Sequence, residues 1–222
     1  MIGTELLDDP RADPEQVRVA LGELRLLNRI YGGSRAVVRA LAPFFRGASG
    51  ERWTLLDVGT GAGDIPLAAR RAARRAGVTL DLLGVERIPS AARAARQAGL
   101  TTLLADGSDL PFPTRSVDVV IASQVLHHFP RDRAQRFIAG LARVARKAVV
   151  IADLRRSRLA ILGYWLAAFP LGLSAVGRHD GIVSLERGFT RAELNDLLVA
   201  GGAPPVARYA PLARVVAAWA PA

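Results

Sequence analysis

The chain has 222 residues, half of them hydrophobic, and its 30 Lys and Arg against 20 Asp and Glu give a formal net charge of +10. This length and apolar content allow one domain with a sizeable core. The sequence contains no cysteine, which excludes disulfides and thiolate metal sites and suits a cytoplasmic location.

The positive charge does not by itself predict a nucleic-acid partner. Lys147 is the only lysine, so nearly all of the excess is arginine, and the arginines are scattered along the chain. Their densest cluster, RRAARRAG at residues 70–77, fits the solvated outer face of a helix. We therefore expect no nucleic acid among the partners, and a nucleic-acid-modifying enzyme stays as the alternative that charge alone suggests.

Two helices are predicted before the main fold. The opening stretch MIGTELLDDPRADPEQ is acidic and lacks a basic region before an apolar core, so we expect no signal peptide. Residues 14–30 place apolar side chains at helical spacing, with Asp13 as the N-cap and Pro14 in the first turn. A second helix is predicted at residues 34–45. Together they predict an N-terminal helical cap at residues 1–50.

In the remainder, residues 51–222, short apolar strands alternate with amphipathic helices. The strands are predicted at residues 53–58, 80–85, 101–105, 117–123 and 147–153, and the helices at residues 64–76, 89–98 and 131–145. This alternation predicts a parallel sheet with helices on both faces. A capping box from Thr190 and Glu193 begins a further helix at residues 190–202. Two strands then follow, PVARYAP and ARVVAAWA, which we expect to lie antiparallel at one edge of the sheet.

An uncharged stretch, LAILGYWLAAFPLGLSAV at residues 159–176, lies between the fifth strand and the next helix. Its length is at the lower limit for a membrane span, but Pro170 and two glycines interrupt it, and a span there would divide the sheet. We expect no membrane span, but two short helices broken at Pro170 that form an apolar helical lid insertion at about residues 154–189. Core or dimer packing is the alternative, so a monomer and a homodimer both stay open. Peripheral membrane contact is a third interpretation, favoured by the adjacent RRSR.

A glycine-rich loop follows the first strand, in LLDVGTGAGDIP at residues 55–66. Its G-x-G-x-G spacing differs from the G-x-G-x-x-G of dinucleotide sites, where a pyrophosphate binds at the helix N-terminus. Asp57 before the loop and Asp64 after it would repel a pyrophosphate. They suit a ligand that carries an ammonium group, a sulfonium and ribose hydroxyls, and S-adenosyl-L-methionine is such a ligand.

At this point the sequence resembles the class I S-adenosylmethionine-dependent methyltransferases, and within them bacterial small-molecule enzymes of the polyketide and quinone type. LLDVGTGAGDIP is similar to their first motif, LLGVER at residues 82–87 to the second, ADGSDLPFP at residues 105–113 to the third, and VDVVIASQVLHHF at residues 117–129 to the fourth strand and its loop. The resemblance implies an α/β, Rossmann-like, seven-stranded and mostly parallel sheet with an antiparallel edge hairpin.

The resemblance also implies how the cofactor is bound. Glu86 should bind the ribose hydroxyls, Asp106 should accept from the adenine amino group, and Gly107 should leave room beside the ring. The cofactor-binding residues implied in this way are Asp57, Gly59, Thr60, Gly61, Gly63, Glu86, Arg87, Asp106, Gly107, Ser123 and Gln124. Arg29, at the end of the first helix, could pair with the methionine carboxylate or simply close the helix. S-adenosyl-L-homocysteine would be the product.

The same scaffold allows three other interpretations. A short-chain dehydrogenase needs a Tyr-x-x-x-Lys pair, but residue 143, four before the only lysine, is arginine. A methyltransferase of bases or amides often carries Asn-Pro-Pro-Tyr after the fourth strand, where this chain has Ser123-Gln124-Val125-Leu126. A catalytically inactive relative is disfavoured by the intact set of motifs.

Three histidines are the candidate catalytic residues. His127 and His128 follow the fourth strand near the expected methyl donor, and His179 stands beside Asp180 in the insertion. A histidine suits removal of a proton from a phenol or enol acceptor, although these histidines could instead be structural. No metal-ligand spacing is present, so no metal is expected. We expect methyl transfer to a hydroxyl of a small lipophilic aromatic or polyketide-type acceptor. Carbon methylation of a quinone precursor is the alternative.

Overall fold

A seven-stranded sheet runs through the middle of the molecule, and the computed structural model describes residues 3–221 of the chain. The strands are β1 (Arg52–Val58), β2 (Thr79–Glu86), β3 (Thr101–Leu104), β4 (Val117–Ser123), β5 (Ala145–Leu154), β6 (Arg208–Ala210) and β7 (Arg214–Trp219). Their order across the sheet is β3-β2-β1-β4-β5-β7-β6. The first five strands are parallel, and β7 runs antiparallel to both β5 and β6, so the predicted sheet and edge hairpin are confirmed.

Eight α-helices accompany the sheet within the described residues. They are α1 (Pro14–Ile30), α2 (Gly33–Phe45), α3 (Asp64–Arg75), α4 (Pro89–Gln97), α5 (Arg131–Val144), α6 (Arg158–Ala168), α7 (Ala175–Arg187) and α8 (Arg191–Ala200). One-turn 3₁₀ helices at Leu6–Asp8 and Leu126–His128 complete the list, and neither was predicted. The ends of the regular elements agree with the sequence-based expectations because their caps are local. Asp13 accepts from the backbone N–H groups of Glu15 and Gln16, and Thr190 and Glu193 form the predicted capping box.

The core lies on both faces of the sheet because the central strands are apolar on both sides. Val119, Val120, Ile121 and their neighbours in β1 and β5 are fully buried. One face packs against α5 and α8, and the other against α2 and α3. The second helix therefore shares its core with the sheet, whereas α1 packs against α4 and the residues that follow β1. A separate cap at residues 1–50 stays a prediction.

The uncharged stretch forms parts of two helices, as expected. Helix α6 ends at Ala168, two residues before Pro170, and α7 begins at Ala175. Across residues 3–221, none of the helices has both the length and the apolar character needed to cross a membrane. A lid role for residues 154–189 stays a prediction.

The strand order fixes where a ligand can bind. Chain connections from β1 lead to β2 on one side of the sheet, and the order reverses so that β4 lies on the other side of β1. The loops after β1 and β4 therefore diverge and leave a crevice at the carboxyl end of the sheet. The glycine-rich loop that follows β1 lies at this crevice.

Candidate active site

A cavity of about 500 Å³ opens at this crevice. It is lined by the loops that follow β1, β2, β3 and β4, and also by α1 and the N-terminal segment. The volume is in the range of a small-molecule site. The predicted site residues that line it are Gly59, Thr60, Gly61, Glu86, Arg87, Asp106, Gly107, Ser123, Gln124, His127 and His128.

The glycine loop is tied to the end of β2 by Glu86. Oε2 of Glu86 accepts a hydrogen bond from the backbone N–H of Gly61 at 2.9 Å, and Oε1 accepts from the N–H groups of Arg87 and Ile88. Gly59 and Gly61 both have positive φ, and a Cβ on Gly59 would lie 2.5 Å from the side chain of Val125. Glycine is therefore required at position 59 for space as well as for conformation.

Three carboxyl groups gather around this loop. Asp57 is buried beneath it and accepts a hydrogen bond from Thr60 Oγ1 at 2.9 Å, while Asp64 and Glu86 line the cavity. Burial raises the pKa of Asp57 well above its usual value, and the negative charges of Asp64 and Glu86 raise it further. Burial also raises the pKa of Asp64. The three carboxyl groups place negative charge beside the glycine loop, which fits a positively charged ligand.

We expect the Asp57→Asn variant of the ligand-free protein to be more stable than the unchanged protein at neutral pH. A buried carboxyl with a raised pKa lowers the free energy of unfolding as the pH rises from its unfolded pKa through its folded pKa. Asparagine retains an acceptor for Thr60 but has no charge. The melting temperature at pH 7 should therefore rise by about 2–4 °C, as ~1 kcal/mol gives in a domain of this size, and should depend less on pH above pH 4.

A matched control for this prediction is Asp118→Asn. Asp118 is also a buried strand carboxyl, but its oxygens accept from Thr54 and pair with Arg146 at 3.2 Å. Loss of that charge should lower the melting temperature. An Asp57→Asn protein that melts at the same or a lower temperature than the unchanged protein would contradict the prediction that the buried Asp57 carboxylate destabilises the ligand-free protein.

Helix α1 reaches the site through Asn28 and not through Arg29. Gln124 Nε2 donates to Asn28 Oδ1 at 2.7 Å, and Asn28 Nδ2 donates to Asp64 Oδ2 at 3.0 Å. The side chain of Arg29 is exposed and lies outside the cavity lining, which favours the alternative that Arg29 closes the helix. Helical spacing could have identified Asn28 from the sequence. Residue 28 lies on the same face of α1 as the buried Val17 and Leu21, whereas residue 29 is rotated from it by about 100°.

Three other predicted residues lie outside the cavity lining. Asp57 supports the loop from below, and Gly63 forms the left-handed N-cap of α3, where a Cβ would lie 2.9 Å from Leu100. His179 lines a separate hollow between α6 and α7 with Trp165 and Phe169. Direct cofactor contact by Asp57 and Gly63 stays a prediction, and the position of His179 in a separate hollow does not support a catalytic role at this cavity.

The two adjacent histidines are each held by a carboxylate. His127 is buried, and its Nδ1 lies 2.6 Å from Asp153 Oδ1. Burial acts to lower the pKa of His127, but the Asp153 carboxylate outweighs it and raises that pKa above the usual value. His128 is less buried, and its Nδ1 lies 2.8 Å from Asp8 Oδ1. In each pair the carboxylate orients the ring and leaves Nε2 as the second functional nitrogen.

The N-terminal segment supplies the acids that the sequence did not reveal. Glu5 lies close to both histidines, with Oε1 at 3.7 Å from His127 Nε2 and Oε2 at 4.0 Å from His128 Nε2. Ser184 and Arg187 of α7 donate to the same carboxylate. These two hydrogen bonds hold α7 against the cavity.

Two more contacts hold the segment over the cavity. The backbone N–H of Leu6 donates to Asp180 Oδ2 at 2.9 Å, and Arg87 donates to the carbonyls of Leu7 and Asp8. Asp180 therefore anchors the segment and does not orient the neighbouring His179. Burial acts to raise the pKa of Asp8, but the contacts with His128, the backbone N–H of Glu5 and Arg187 together outweigh it and lower that pKa below its usual value, so Asp8 is ionised.

Glu5, His127 and His128 also lie close enough together to be considered as metal ligands, with their candidate atoms within 4.8 Å of one another. Both oxygens of Glu5, however, already accept hydrogen bonds, one of them from the guanidinium of Arg187 at 3.2 Å. A fixed positive charge at that distance opposes a second cation. The absence of a metal stays a prediction.

Comparison with known proteins agrees with these features. Residues 56–152 match the family model described as "Methyltransferase domain". A SAM-dependent methyltransferase from Aquifex aeolicus has a TM-score of 0.60 at 17% identity, over 93% of this chain and 97% of that one. Magnesium protoporphyrin IX methyltransferase (ChlM) from Synechocystis PCC 6803 with bound SAH has a TM-score of 0.58 at 16% identity, over 86% and 83%.

The mitomycin 7-O-methyltransferase MmcR has a TM-score of 0.65 at 21% identity, over 97% of this chain and 60% of that one. At such identities these likenesses establish the shared fold, and the family match establishes the domain. The negative cluster, the glycine loop and the cavity volume also fit S-adenosylmethionine. Residues 56–152 match a methyltransferase domain, and the chain has the fold of S-adenosylmethionine-dependent methyltransferases.

Proposed function

We propose that this enzyme transfers the methyl group of S-adenosylmethionine to a hydroxyl of a small lipophilic aromatic or polyketide-type acceptor. The observation that carries the proposal is the Asp8–His128 pair in the same cavity as the glycine loop and Glu86. A hydroxyl acceptor must lose a proton, and a histidine oriented by a carboxylate is suited to take it.

The acceptor class is supported by the apolar part of the cavity lining. Leu7, Leu21, Leu24, Val125 and Phe129 line the cavity beside the polar groups. Such a lining favours a ligand with an apolar body and few polar atoms. Two proteins of the same fold are named for ring-bearing compounds, a mitomycin and a magnesium protoporphyrin.

Each residue of the cavity has a separate role in this proposal. When bound, the cofactor supplies an activated methyl group, and Glu86, Asp106 and the backbone of the glycine loop would hold it. His128 would accept the acceptor's hydroxyl proton at Nε2, while Asp8 keeps Nδ1 protonated and the ring in place. The N-terminal segment over the cavity would exclude water and align the acceptor, which is where most of the rate enhancement of such a transfer arises.

The proposal is tested by incubating the purified protein with methyl-labelled cofactor and a panel of phenols, quinols and transfer RNA. NMR of the isolated product distinguishes a methyl group on oxygen from one on carbon. We expect labelled phenol or quinol ethers and no label in the RNA. Transfer only to ring carbon would replace the proposal by quinone-precursor C-methylation, and label in RNA would replace it by nucleic-acid modification.

A further inference from the structure

Helix α6 presents an apolar face to solvent. Its large side chains are exposed by 80% at Leu159, 53% at Leu162, 55% at Trp165, 60% at Leu166 and 65% at Phe169, the residue that follows the helix. The spacing of three and four residues places them on one side of the helix. We call these five residues the α6 face.

The opposite side of α6 is fixed, so the α6 face cannot turn inward. Tyr164 and Ala168 are buried against Leu154, Leu173 and Leu185. The hydroxyl of Tyr164 donates to the carbonyl of Gly177 in α7 at 2.6 Å, and Gly181 has no Cβ where one would meet the Tyr164 ring. The α6 face is therefore exposed while α6 is packed against the rest of the protein.

The charged residues of the segment that carries the α6 face have one sign. Residues 154–179 contain four arginines and neither Asp nor Glu. Arg178 lies over the ring of Phe169 at 4.5 Å, and exposed Arg158 begins the helix. Arg156 is paired with Glu193 of α8, and Arg155 lies over the ring of Tyr209. Both arginines are therefore fixed in the segment that precedes α6. A surface of this kind attracts a negatively charged partner.

We propose that the α6 face docks on an anionic lipid bilayer, with α6 lying in the plane of the interface. A short apolar helix with an exposed tryptophan and arginines beside it matches the composition of interfacial helices. Pairing two copies of this chain through the same face would bring Arg158 and Arg178 of both copies together, and this repulsion disfavours a dimer there. The proposal does not depend on the identity of the methyl acceptor.

The position of α6 connects this surface with the active site. Helix α7 packs against α6, and its Ser184 and Arg187 bind Glu5 at the cavity. A molecule dissolved in the bilayer would therefore be one helix layer from the catalytic cavity. Docking would raise the local concentration of lipophilic acceptors beside the site.

The test uses the full chain with vesicles of phosphatidylcholine alone or mixed with phosphatidylglycerol. Trp53 and Trp219 are only 4% and 6% exposed, so a change of tryptophan emission reports Trp165. We expect co-sedimentation and a blue shift with the anionic vesicles, weaker binding in high salt, and little binding to phosphatidylcholine alone. Equal binding to both vesicle types, or binding without a blue shift, would overturn the proposal.

A pair of matched variants separates the α6 face from the net charge of the protein. Leu166→Glu introduces a charge at a residue exposed by 60%, and Val199→Glu does the same on α8 at a residue exposed by 58%. Neither side chain is buried, so both variants should fold. We expect Leu166→Glu to reduce vesicle partitioning at least ~10-fold and Val199→Glu to leave it within ~2-fold. Equal losses in both variants, or a dimer in sedimentation equilibrium that Leu166→Glu dissociates, would overturn membrane docking.

Discussion

The Glu86→Ala variant is expected to bind S-adenosylhomocysteine at least ~100-fold more weakly than the unchanged protein. Glu86 lines the cavity at the end of β2, where its carboxylate should accept from the two ribose hydroxyls. Hydrogen bonds to a charged acceptor contribute about 1.5–3 kcal/mol each, so the loss of two gives about 3 kcal/mol or more, which is two orders of magnitude in Kd. Isothermal titration calorimetry measures the change directly.

The same carboxylate also shapes the empty site, because it accepts from the backbone N–H of Gly61 and of Arg87. Glu86→Gln preserves the size of the side chain but replaces one acceptor oxygen by a donor. We expect it to bind about 10-fold more weakly, between the alanine variant and the unchanged protein.

Asp81→Ala is the matched control for Glu86. Asp81 lies on the same strand but forms an exposed ion pair with Arg52 at 3.0 Å, away from the cavity. Its affinity for S-adenosylhomocysteine should stay within ~2-fold of the unchanged protein. An unchanged affinity in folded Glu86→Ala, with the melting temperature of each variant measured in parallel, would remove the assignment of the ribose site.

The proposed cofactor side of the cavity could be predicted because its residues follow consecutive strands. In a parallel sheet the ends of β1, β2, β3 and β4 meet at one edge, so the motif positions at Gly61, Glu86, Asp106 and Ser123 converge without any knowledge of the packing. The helix boundaries were also predictable, since caps such as Asp13 and the Thr190–Glu193 box are local. These features depend on residues that are near one another in the sequence or in the strand order.

The proposed acceptor side depends on contacts that no local pattern encodes. Asp8 and His128 are 120 residues apart, and Glu5 meets Ser184 across 179 residues. The N-terminal segment forms only one turn of 3₁₀ helix, so it carries no periodicity from which its position over the cavity could be inferred. The choice between Asn28 and Arg29 is of a different kind, because a shift of one residue on a helix changes the face that a side chain occupies.

We expect the His128→Ala variant to lower kcat about 100-fold and to leave the affinity for S-adenosylhomocysteine within ~3-fold. Removal of a general base costs between 10²- and 10⁴-fold in typical enzymes, and the lower value is expected where alignment carries much of the rate. Asp8 is a positioning residue in this scheme, since it contacts the ring at Nδ1. Asp8→Asn retains an acceptor for that nitrogen but loses the charge, so kcat should fall about 10-fold with little change in KM for the cofactor.

The third histidine provides the control for the second. His179 lines the separate hollow between α6 and α7, so His179→Ala should keep kcat within ~2-fold of the unchanged protein. The melting temperature distinguishes His127 from His128. The ring of His127 is buried against Asp153, so its replacement by alanine should lower the melting temperature. His128→Ala should melt near the unchanged protein. A folded His128→Ala enzyme with normal kcat on a phenol would show that the acceptor loses its proton to another group. Glu5 would then be the next candidate, because its carboxylate is the other acid that faces both rings.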